Sequence, residues 1–315
     1  MKIVYVTGCL GFIGSYVTRL CLKRGWQVRG IDKCTYAANT DLLNEFNKYL
    51  NFTFEKIDIN NLEFLFDCDY VINTAAETHV GNSIVKSSDF LKANVDGVAH
   101  LLDLIKNHRS ESNKLPTLFH FSTDEVYGDI EDGFANEKST LNPSNPYSAT
   151  KAAADMLIFA WARTHKIPYI ILRPTNNYGC GQYVEKLIPK ACKYFQIERK
   201  LPLHNSGLSI RTWLHANDTA RAVLSIIDSN CENEIFNVSS HLELENIEVC
   251  NKLADIYLEK YNPEIIYDFS YQRPGQDLRY ALDDSKLRSL GWKEEAIFDE
   301  EIIKIADYYK DKFIW

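Results

Sequence analysis

A tyrosine and a lysine stand four residues apart, at Tyr147 and Lys151, in a stretch with the pattern of a helix. Side chains with this spacing lie on one face of a helix. An ammonium group beside a phenol favours the phenolate and lowers the phenol pKa from its ordinary value of about 10. The pair is therefore a candidate general base.

The same spacing occurs a second time near the C-terminus, at Tyr308 and Lys312. No further motif accompanies this second pair, and we expect it on an exposed terminal helix. The repetition indicates that the spacing can arise by chance. Only the chemistry around each pair can decide which of them is functional.

The chemistry around Tyr147 is supplied by S-T-D-E-V-Y-G, residues 122–128, at the end of the fifth expected strand. Thr123 provides a hydroxyl, and Asp124 and Glu125 provide two adjacent carboxyl groups. Two carboxyl groups in a partly dry cleft repel each other, so one of them tends to keep a proton. One can then serve as an acid and the other as a base. The alternative is a capped turn with two solvated acids.

A glycine-rich loop, T-G-C-L-G-F-I-G, follows the first expected strand and opens the first expected helix. Glycines in this position allow a tight turn and a close approach of the backbone to a pyrophosphate at the helix N-terminus. A glycine triplet alone is weak evidence, because turns also collect glycine. Its position between strand and helix favours a dinucleotide site. The expected contacts are Gly8, Gly11, Phe12, Ile13 and Gly14.

Asp32 closes the second expected strand, where an acid can accept hydrogen bonds from ribose hydroxyls. A carboxylate there repels the additional phosphate of NADP, so NAD is favoured, although the adjacent Lys33 weakens the charge argument. Positions after the third and fourth strands lie at the same edge of an open parallel sheet. Further cofactor contacts are expected there, at Asp58, Ile59, Ala75 and Ala76.

Alternating strands and helices must position these residues. Strands are expected at Ile3–Thr7, Gln27–Asp32, Phe52–Ile57, Tyr70–Thr74, Leu118–Ser122 and Tyr169–Arg173. Helices are expected at Ile13–Arg24, Phe90–Lys106, Tyr147–His165, Val184–Phe195, Asp218–Asp228, Ile247–Lys260 and Glu300–Asp311. The alternation indicates right-handed crossovers and an α/β fold with a doubly wound parallel sheet of the Rossmann type.

After Pro174 the alternation weakens, and no low-complexity linker follows it. A smaller second domain is therefore expected to be interwoven with the first one. The NAD-binding domain is assigned residues 1–176 plus roughly 213–240. The smaller domain is assigned roughly 177–212 and 241–315.

The composition narrows the classes of partner. The 315 residues carry a formal net charge of -8, which argues against a nucleic-acid binder, because such proteins normally present a basic face. No run approaches the roughly 20 apolar residues that span a bilayer, and the N-terminus lacks the features of a secretory signal. The eight cysteines show no spacing suited to zinc. We expect a cytoplasmic protein with no metal and no membrane or nucleic-acid partner.

The chain resembles the extended short-chain dehydrogenase/reductase family, and within it the nucleotide-sugar 4,6-dehydratases that act on dTDP-glucose or UDP-glucose. The resemblance runs from Thr7 to Tyr280, nearly the whole chain, and its most specific element is the acid pair of S-T-D-E-V-Y-G-D. The other matching segments are T-G-C-L-G-F-I-G-S, I-D-K-C-T-Y-A-A-N, A-A-E-T-H-V, N-P-Y-S-A-T-K-A-A-A-D, N-N-Y-G, E-K-L-I-P and R-P-G-Q-D-L-R-Y.

This resemblance implies a role for each of the five residues. Tyr147, supported by Lys151, would take the proton of the C4 hydroxyl while a hydride leaves C4 for NAD. Thr123 would hydrogen-bond the developing C4 oxygen. Glu125 would remove the C5 hydrogen, and Asp124 would protonate the departing C6 hydroxyl. Return of the hydride to C6 would give a 4-keto-6-deoxy sugar and regenerate NAD.

The resemblance also implies substrate contacts and a homodimer. The homodimer would pack through the helices near Phe90–Lys106 and Tyr147–His165. Contacts to the hexose, diphosphate and nucleoside are carried over to Thr78, His79, Asn177, Glu185, Lys186, Leu187, Arg211, Asn246 and Arg273.

Four positions around the expected substrate depart from the family pattern. Cys180 and Gly181 stand where Pro-Tyr or Pro-Asn is common, and Gly81 and Thr212 each stand where Asp is common. These departures leave the identity of the nucleotide open. The residues of N-P-Y-S-A-T-K-A and A-A-E-T-H-V slightly favour UDP-glucose. The alternatives are a nucleotide-sugar 4-epimerase or decarboxylase, which needs no elimination acids, and a non-catalytic NAD-binding scaffold.

Overall fold

A seven-stranded parallel sheet lies at the centre of the fold. The structure is a computed structural model that describes residues 1–108, 114–259 and 262–310. Its strands are β1 (Ile3–Thr7), β2 (Gln27–Asp32), β3 (Phe52–Lys56), β4 (Tyr70–Asn73), β5 (Thr117–Phe121), β6 (Tyr169–Pro174), β7 (Asn176–Tyr178), β8 (Leu201–Pro202), β9 (Ile210–His215), β10 (Glu234–Val238), β11 (Glu243–Glu245) and β12 (Tyr267–Asp268).

Helices connect most of these strands. They are α1 (Phe12–Lys23), α2 (Leu42–Phe46), α3 (Val80–Val85), α4 (Ser88–Phe90), α5 (Gly97–Lys106), α6 (Pro146–His165), α7 (Leu187–Gln196), α8 (Ala216–Asp228), α9 (Asn246–Tyr257), α10 (Pro263–Ile266), α11 (Ser285–Arg288) and α12 (Phe298–Lys310). A π-helical turn at Leu91–Asp96 joins α4 to α5, and short 3₁₀ turns lie at Ile59–Asn61, Asp124–Tyr127 and His204–Gly207.

The large sheet has the strand order β10-β6-β5-β4-β1-β2-β3, and each neighbouring pair is parallel. Alternate residues of a strand point to opposite faces of a sheet. Val4 and Val6 therefore pack with α1 and α8 on one face, while Tyr5 packs with α5 and α6 on the other. Helices cover both faces, so the predicted doubly wound parallel sheet is confirmed.

The order of the strands reverses between β1 and β4, which both pair within the middle of the sheet. Ligands of doubly wound sheets bind beyond the carboxyl ends of the strands at such a point. The ends of β1, β2, β4 and β5 all open onto this edge. The fold therefore places the expected ligand site at this edge of the sheet.

Helix α6 is started by a strong local signal. Asn145 caps it through a hydrogen bond from the Ser148 N–H, Ser148 completes a capping box, and Pro146 occupies the first turn. Capping side chains satisfy backbone donors that a helix leaves unpaired, and proline at the first position costs no hydrogen bond. The position of every side chain on this helix is therefore set close to its start.

A second, smaller region has its own hydrophobic core. Strands β7, β9 and β11 form a three-stranded sheet, and β8 pairs with β12. Helices α7, α9 and α12 pack around Tyr178, Trp213 and Phe298. Because β7 directly follows β6 and β10 returns to the large sheet, the chain passes between the two regions more than once.

The six strands expected from the sequence are present, and their ends lie within one residue of the expected ones. The seventh strand of the large sheet, β10, was not expected. Helix α12 buries one face, including Ile302, Ile305 and Tyr309, and Tyr308 is half-buried. The prediction that the terminal helix is exposed is therefore wrong for this face. Lys260, Asp311 and Lys312 lie outside the described residues.

No helix within the described ranges is both long and apolar enough to cross a membrane. Within the same ranges, no group of three His, Cys, Asp or Glu side chains is arranged to hold a metal ion.

Candidate active site

A cavity of about 310 Å³ opens at the carboxyl edge of the large sheet. Residues from the ends of β1, β2, β4, β5 and β6 line it, together with the segment that follows β7. Every residue expected to bind the cofactor or to act in catalysis lies in this lining. They are Gly8, Gly11, Phe12, Ile13, Gly14, Asp32, Lys33, Asp58, Ile59, Ala75, Ala76, Thr123, Asp124, Glu125, Tyr147 and Lys151.

The glycine loop is shaped for a close approach of backbone to ligand. Gly8 has a φ of +69°, and a Cβ atom there would lie 2.8 Å from the Ala75 backbone nitrogen. A Cβ atom on Gly14 would lie 2.0 Å from the Gly8 carbonyl oxygen. Helix α1 begins at Phe12, without a side-chain cap on its first N–H groups. These donors and the helix dipole suit a pyrophosphate, so the loop fits a dinucleotide.

Asp32 is held in place by the backbone around it. Its carboxylate accepts hydrogen bonds from the Leu10 N–H at 3.1 Å and the Cys34 N–H at 2.7 Å. Burial raises the pKa of Asp32, and the two backbone donors act in the opposite direction. A fixed carboxylate beside the cavity suits ribose hydroxyls and opposes a phosphate at the same place.

The ammonium group of Lys33 is taken up by acids. It lies 3.4 Å from a carboxylate oxygen of Glu77 and 3.9 Å from one of Asp58. These two carboxylates offset the positive charge of Lys33, which had weakened the argument for NAD over NADP. The residues of this end of the cavity fit NAD as the dinucleotide.

The turn Asp124–Tyr127 carries the acid pair. Thr123 caps the turn, and its hydroxyl donates to the Asp124 carboxylate at 3.0 Å. Asp124 is only 4% exposed. Burial, together with the neighbouring Glu125 charge, raises the pKa of Asp124 to about 7. Asp124 is therefore an acid that holds its proton up to neutral pH.

Glu125 has different surroundings from those of its neighbour. It is half-buried, and one of its carboxylate oxygens accepts a hydrogen bond from the Asn145 side-chain amide at 3.0 Å. The same oxygen lies 3.4 Å from the Tyr280 hydroxyl. One member of the pair thus suits an acid, and the other suits a base.

Tyr147 and Lys151 lie on the face of α6 that looks into the cavity. Lys151 donates to the Phe121 carbonyl oxygen at 2.6 Å, and burial lowers its pKa to about 8, against the raising effect of Asp155. Burial and the Glu125 charge raise the pKa of Tyr147. The sequence predicted that Lys151 lowers the pKa of Tyr147, whereas burial and the Glu125 charge raise it in this structure.

A buried ion pair lies behind Lys151. The Arg173 guanidinium donates to one Asp155 carboxylate oxygen at 2.9 and 3.1 Å, and also donates to the Tyr127 hydroxyl at 2.8 Å. Tyr127 in turn donates to the Asn237 side chain at 2.8 Å. This network ties α6 to β6 and β10, so the catalytic helix is fixed to the far side of the sheet.

Four of the expected substrate-binding residues line the cavity: Thr78, Asn177, Glu185 and Lys186. Lys186 donates to the Thr78 carbonyl and hydroxyl oxygens at 3.0 and 3.1 Å. Glu185 accepts from the Tyr36 hydroxyl at 3.0 Å. The segment before α7 is thereby tied to the loops after β2 and β4, across the cavity.

The other five expected residues, His79, Leu187, Arg211, Asn246 and Arg273, do not line the cavity. Arg211 donates to the carbonyl oxygens of Ile210, Asp277 and Leu278, and its guanidinium lies 4.3 Å from the centre of the Tyr280 ring. Arg273 has a buried Nε atom without a partner among the described residues. Leu187 and Asn246 begin α7 and α9.

His79 and Gly81 explain one departure from the family pattern. The His79 ring accepts a hydrogen bond from the Asn82 N–H at 3.0 Å and caps α3. A Cβ atom on Gly81 would lie 3.0 Å from this ring. A side chain at position 81 would therefore crowd the histidine cap.

Two polar contacts of Glu125, from Asn145 and Tyr280, were not expected to belong to the site. Both residues lie in segments that carry the resemblance, N-P-Y-S and R-P-G-Q-D-L-R-Y. The motifs therefore indicated that both segments belong to the site, but they did not predict that Asn145 and Tyr280 contact Glu125.

Comparison with known proteins gives one family and close structural neighbours. Residues 5–305 match the family model described as GDP-mannose 4,6 dehydratase. A probable dTDP-glucose 4,6-dehydratase of Sinorhizobium fredii is 37% identical, covering 99% of this chain and 94% of the relative. The dTDP-glucose 4,6-dehydratase of Haemophilus influenzae is also 37% identical, covering 98% of each chain.

A solved structure has the same fold over nearly its whole length. It is a double mutant of DesIV, a dTDP-glucose 4,6-dehydratase from Streptomyces venezuelae with NAD bound. It superposes with a TM-score of 0.92 at 32% identity and covers 99% of this chain and 97% of that one.

Proposed function

The chain belongs to the GDP-mannose 4,6 dehydratase family, and we propose that it is an NAD-dependent 4,6-dehydratase of a nucleoside-diphosphate glucose, dTDP-glucose or UDP-glucose. The observation that carries the proposal is the contrast within the acid pair. Asp124 is buried with a raised pKa, and the adjacent Glu125 carboxylate accepts hydrogen bonds. An acid and a base side by side suit elimination of water, which an epimerase or a decarboxylase does not need.

The cofactor end is formed by the glycine loop and by Asp32. The loop would hold the pyrophosphate, and Asp32 would accept from the ribose hydroxyls of the adenosine half. NAD, when bound, supplies a hydride acceptor for C4 oxidation and a hydride donor for C6. Tyr147 and Lys151 face this part of the cavity from α6.

In the first step Tyr147 would take the proton of the C4 hydroxyl, and Thr123 would hydrogen-bond the C4 oxygen. Tyr147 must lose its own proton before it can accept this one, and burial and the Glu125 charge, which raise its pKa, oppose that loss in this structure. Lys151 donates a hydrogen bond to the Phe121 carbonyl oxygen, and this contact holds the part of α6 that carries Tyr147 against β5.

In the second step Glu125 would remove the C5 hydrogen, which the C4 ketone acidifies. Asp124 would give its proton to the departing C6 hydroxyl. The pKa of about 7 for Asp124 leaves it protonated in a large fraction of molecules at neutral pH. Its burial also keeps bulk water away from the leaving group.

The substrate would lie between the two regions of the chain. Thr78, Glu185, Lys186 and Asn177 line the cavity beyond the acid pair and are proposed to contact the hexose and diphosphate. The family resemblance also implies substrate contacts by residues that do not line the cavity, and we keep them in the proposal: Arg211, Arg273, Asn246, His79 and Leu187. The division into an NAD-binding domain, 1–176 with roughly 213–240, and a nucleotide-sugar domain of the remaining residues is part of the same proposal.

We further propose a homodimer in the cytoplasm. The outer face of α6 leaves Ala149, Met156 and Ala160 exposed, and Leu91 is exposed at the start of the neighbouring helix. Small and apolar side chains at helical spacing suit packing against a second copy. Sedimentation analysis of the wild type beside Ala160→Arg would test this, since the arginine should give monomers.

The activity is tested by incubating the purified protein with dTDP-glucose and UDP-glucose in separate reactions. The expected product is lighter than the substrate by one water, and it carries a ketone and a new methyl group. Mass spectrometry and proton NMR measure both. Absence of water loss with either donor contradicts the proposal, and a 4-epimer of unchanged mass would identify the rival enzyme.

A further inference from the structure

A line of hydrogen-bonding side chains runs from Glu125 to the protein surface. The Tyr280 hydroxyl lies 3.4 Å from a carboxylate oxygen of Glu125 and donates to a carboxylate oxygen of Asp277 at 2.6 Å. The other Asp277 oxygen accepts from the Ser144 hydroxyl at 2.5 Å. Ser144 is exposed. Three side chains thus join the expected base to solvent.

The interior members of this line are well shielded. Tyr280 is 4% exposed and Asp277 is 5% exposed. The Arg211 guanidinium lies over the Tyr280 ring and also donates to the Asp277 carbonyl oxygen. These contacts hold the phenol and the carboxylate in place, as a fixed path for a proton requires.

A tyrosine hydroxyl has one proton to donate and an oxygen that can accept. The Tyr280 hydroxyl lies 2.6 Å from Asp277 and 3.4 Å from Glu125, so we place its proton on the Asp277 side, which leaves its oxygen able to accept from Glu125 once Glu125 is protonated. Burial raises the pKa of Tyr280. Tyr280 therefore stays a phenol and can pass a proton only by receiving one at the same time.

We propose that Tyr280 and Asp277 form a proton path that connects Glu125 with solvent during turnover. The proposal rests on the function proposed above. When Glu125 has taken the C5 proton, its O–H donates to the Tyr280 oxygen and the Tyr280 proton passes to Asp277. The Glu125 carboxylate and the Tyr280 phenol are restored, and Asp277 becomes a carboxylic acid. Asp277 then loses this proton to solvent beside Ser144.

The same path works in reverse when the double bond is reduced. A solvent proton enters at Asp277, moves through Tyr280 to Glu125, and is delivered to C5 as the hydride adds to C6. No electrons are gained or lost along the path. The consequence is that exchange of the C5 hydrogen with solvent depends on Tyr280 and Asp277.

The experiment uses substrate labelled with deuterium at C5, turned over in ordinary water by the full-length protein. The product is examined by NMR for deuterium retained at C5. The variants are Tyr280→Phe, which keeps the ring under Arg211, and Asp277→Asn, which keeps the shape of the side chain. Tyr267→Phe is the matched control, because Tyr267 is also buried and its hydroxyl donates to Asn251 away from the site.

The wild type and Tyr267→Phe should lose the label to solvent. Tyr280→Phe and Asp277→Asn should exchange it about tenfold less per turnover, because each change interrupts the path between Glu125 and solvent. Rapid quenching separates label loss from the rate of water elimination. A merely structural role would slow turnover without raising the fraction of label retained.

Three outcomes overturn the proposal. The first is complete label retention by the wild type. The second is equal label loss in Tyr280→Phe and Tyr267→Phe, which would show direct exchange between Glu125 and water in the cavity. The third is equal label loss in Asp277→Asn, which decides the matter if Tyr280→Phe does not fold. Water loss by the wild type is scored in the same samples, so a failure of the proposed activity is seen separately.

Discussion

The two halves of the site are built in different ways. The redox half, Tyr147 and Lys151, lies on one regular helix whose start is set by a capping box. The elimination half, Asp124 and Glu125, lies on one short turn, but its chemistry depends on side chains from positions 145 and 280. Helix geometry places the first pair. Contacts between distant segments give Asp124 and Glu125 their different surroundings.

Adjacent residues of similar type can thus have different surroundings and suit different roles, one as an acid and one as a base. Asp124 and Glu125 are neighbours in sequence, yet Asp124 is buried against Thr123 and Glu125 accepts a hydrogen bond from the Asn145 side-chain amide. Tyr147 and Lys151 share one helical face and both are buried. Separate damage to each half should therefore stop the reaction at a different step.

The largest effect is expected from Tyr147→Phe, which removes the base of the redox half. C4 oxidation should fall by about 10²–10⁴-fold, because general base catalysis typically contributes that much. No NADH absorbance should appear when the NAD-loaded variant is mixed with substrate. Rapid formation of NADH by this variant would contradict the role of Tyr147.

Glu125→Gln should leave the redox half working and stop the elimination half. Water loss should slow by about 10²-fold, because the amide cannot take the C5 proton. NADH should then accumulate in a single turnover, since oxidation continues while its consumption is blocked. Stopped-flow absorbance measures this, and full turnover without accumulated NADH would assign the base elsewhere.

The pH dependence should separate the two halves. Asp124 must be protonated to act as an acid, and burial and the Glu125 charge raise its pKa to about 7. The rate of water loss should therefore be highest below pH 7 and fall by about tenfold per pH unit well above it. Asp124→Asn should be slower and lack this limb, as measured by quenched-flow product analysis across pH.

The smallest effect is expected from Asn145→Ser, at the residue that serves both halves. Serine keeps the cap of α6 but lacks the amide that reaches Glu125. NADH formation should stay near the wild-type rate, while elimination slows by about tenfold because a hydrogen bond to a charged group is lost. Asn145→Ala is the matched variant, because it also removes the cap and should destabilise the protein by about 1 kcal/mol.

Much of the fold was accessible from local patterns. Short apolar runs between helical patterns predicted the six strands, and the glycine loop between β1 and α1 predicted the cofactor end. The strand β10 was missed, because Glu234–Val238 is a short run whose partner, β6, is distant in sequence. Arg211 was expected among substrate contacts, and its hydrogen bonds to three carbonyl oxygens were not foreseeable from its position in a motif.

Local sequence patterns were enough to predict the alternation of strands and helices, the segment that carries Thr123, Asp124 and Glu125, and the helical face shared by Tyr147 and Lys151. These features depend on residues within a few positions of one another. Packing of distant segments sets the raised pKa of Asp124, the direction of the Tyr147 pKa shift and the partners of Glu125. Burial and charge are sums over side chains from distant segments, so only the folded chain brings them together.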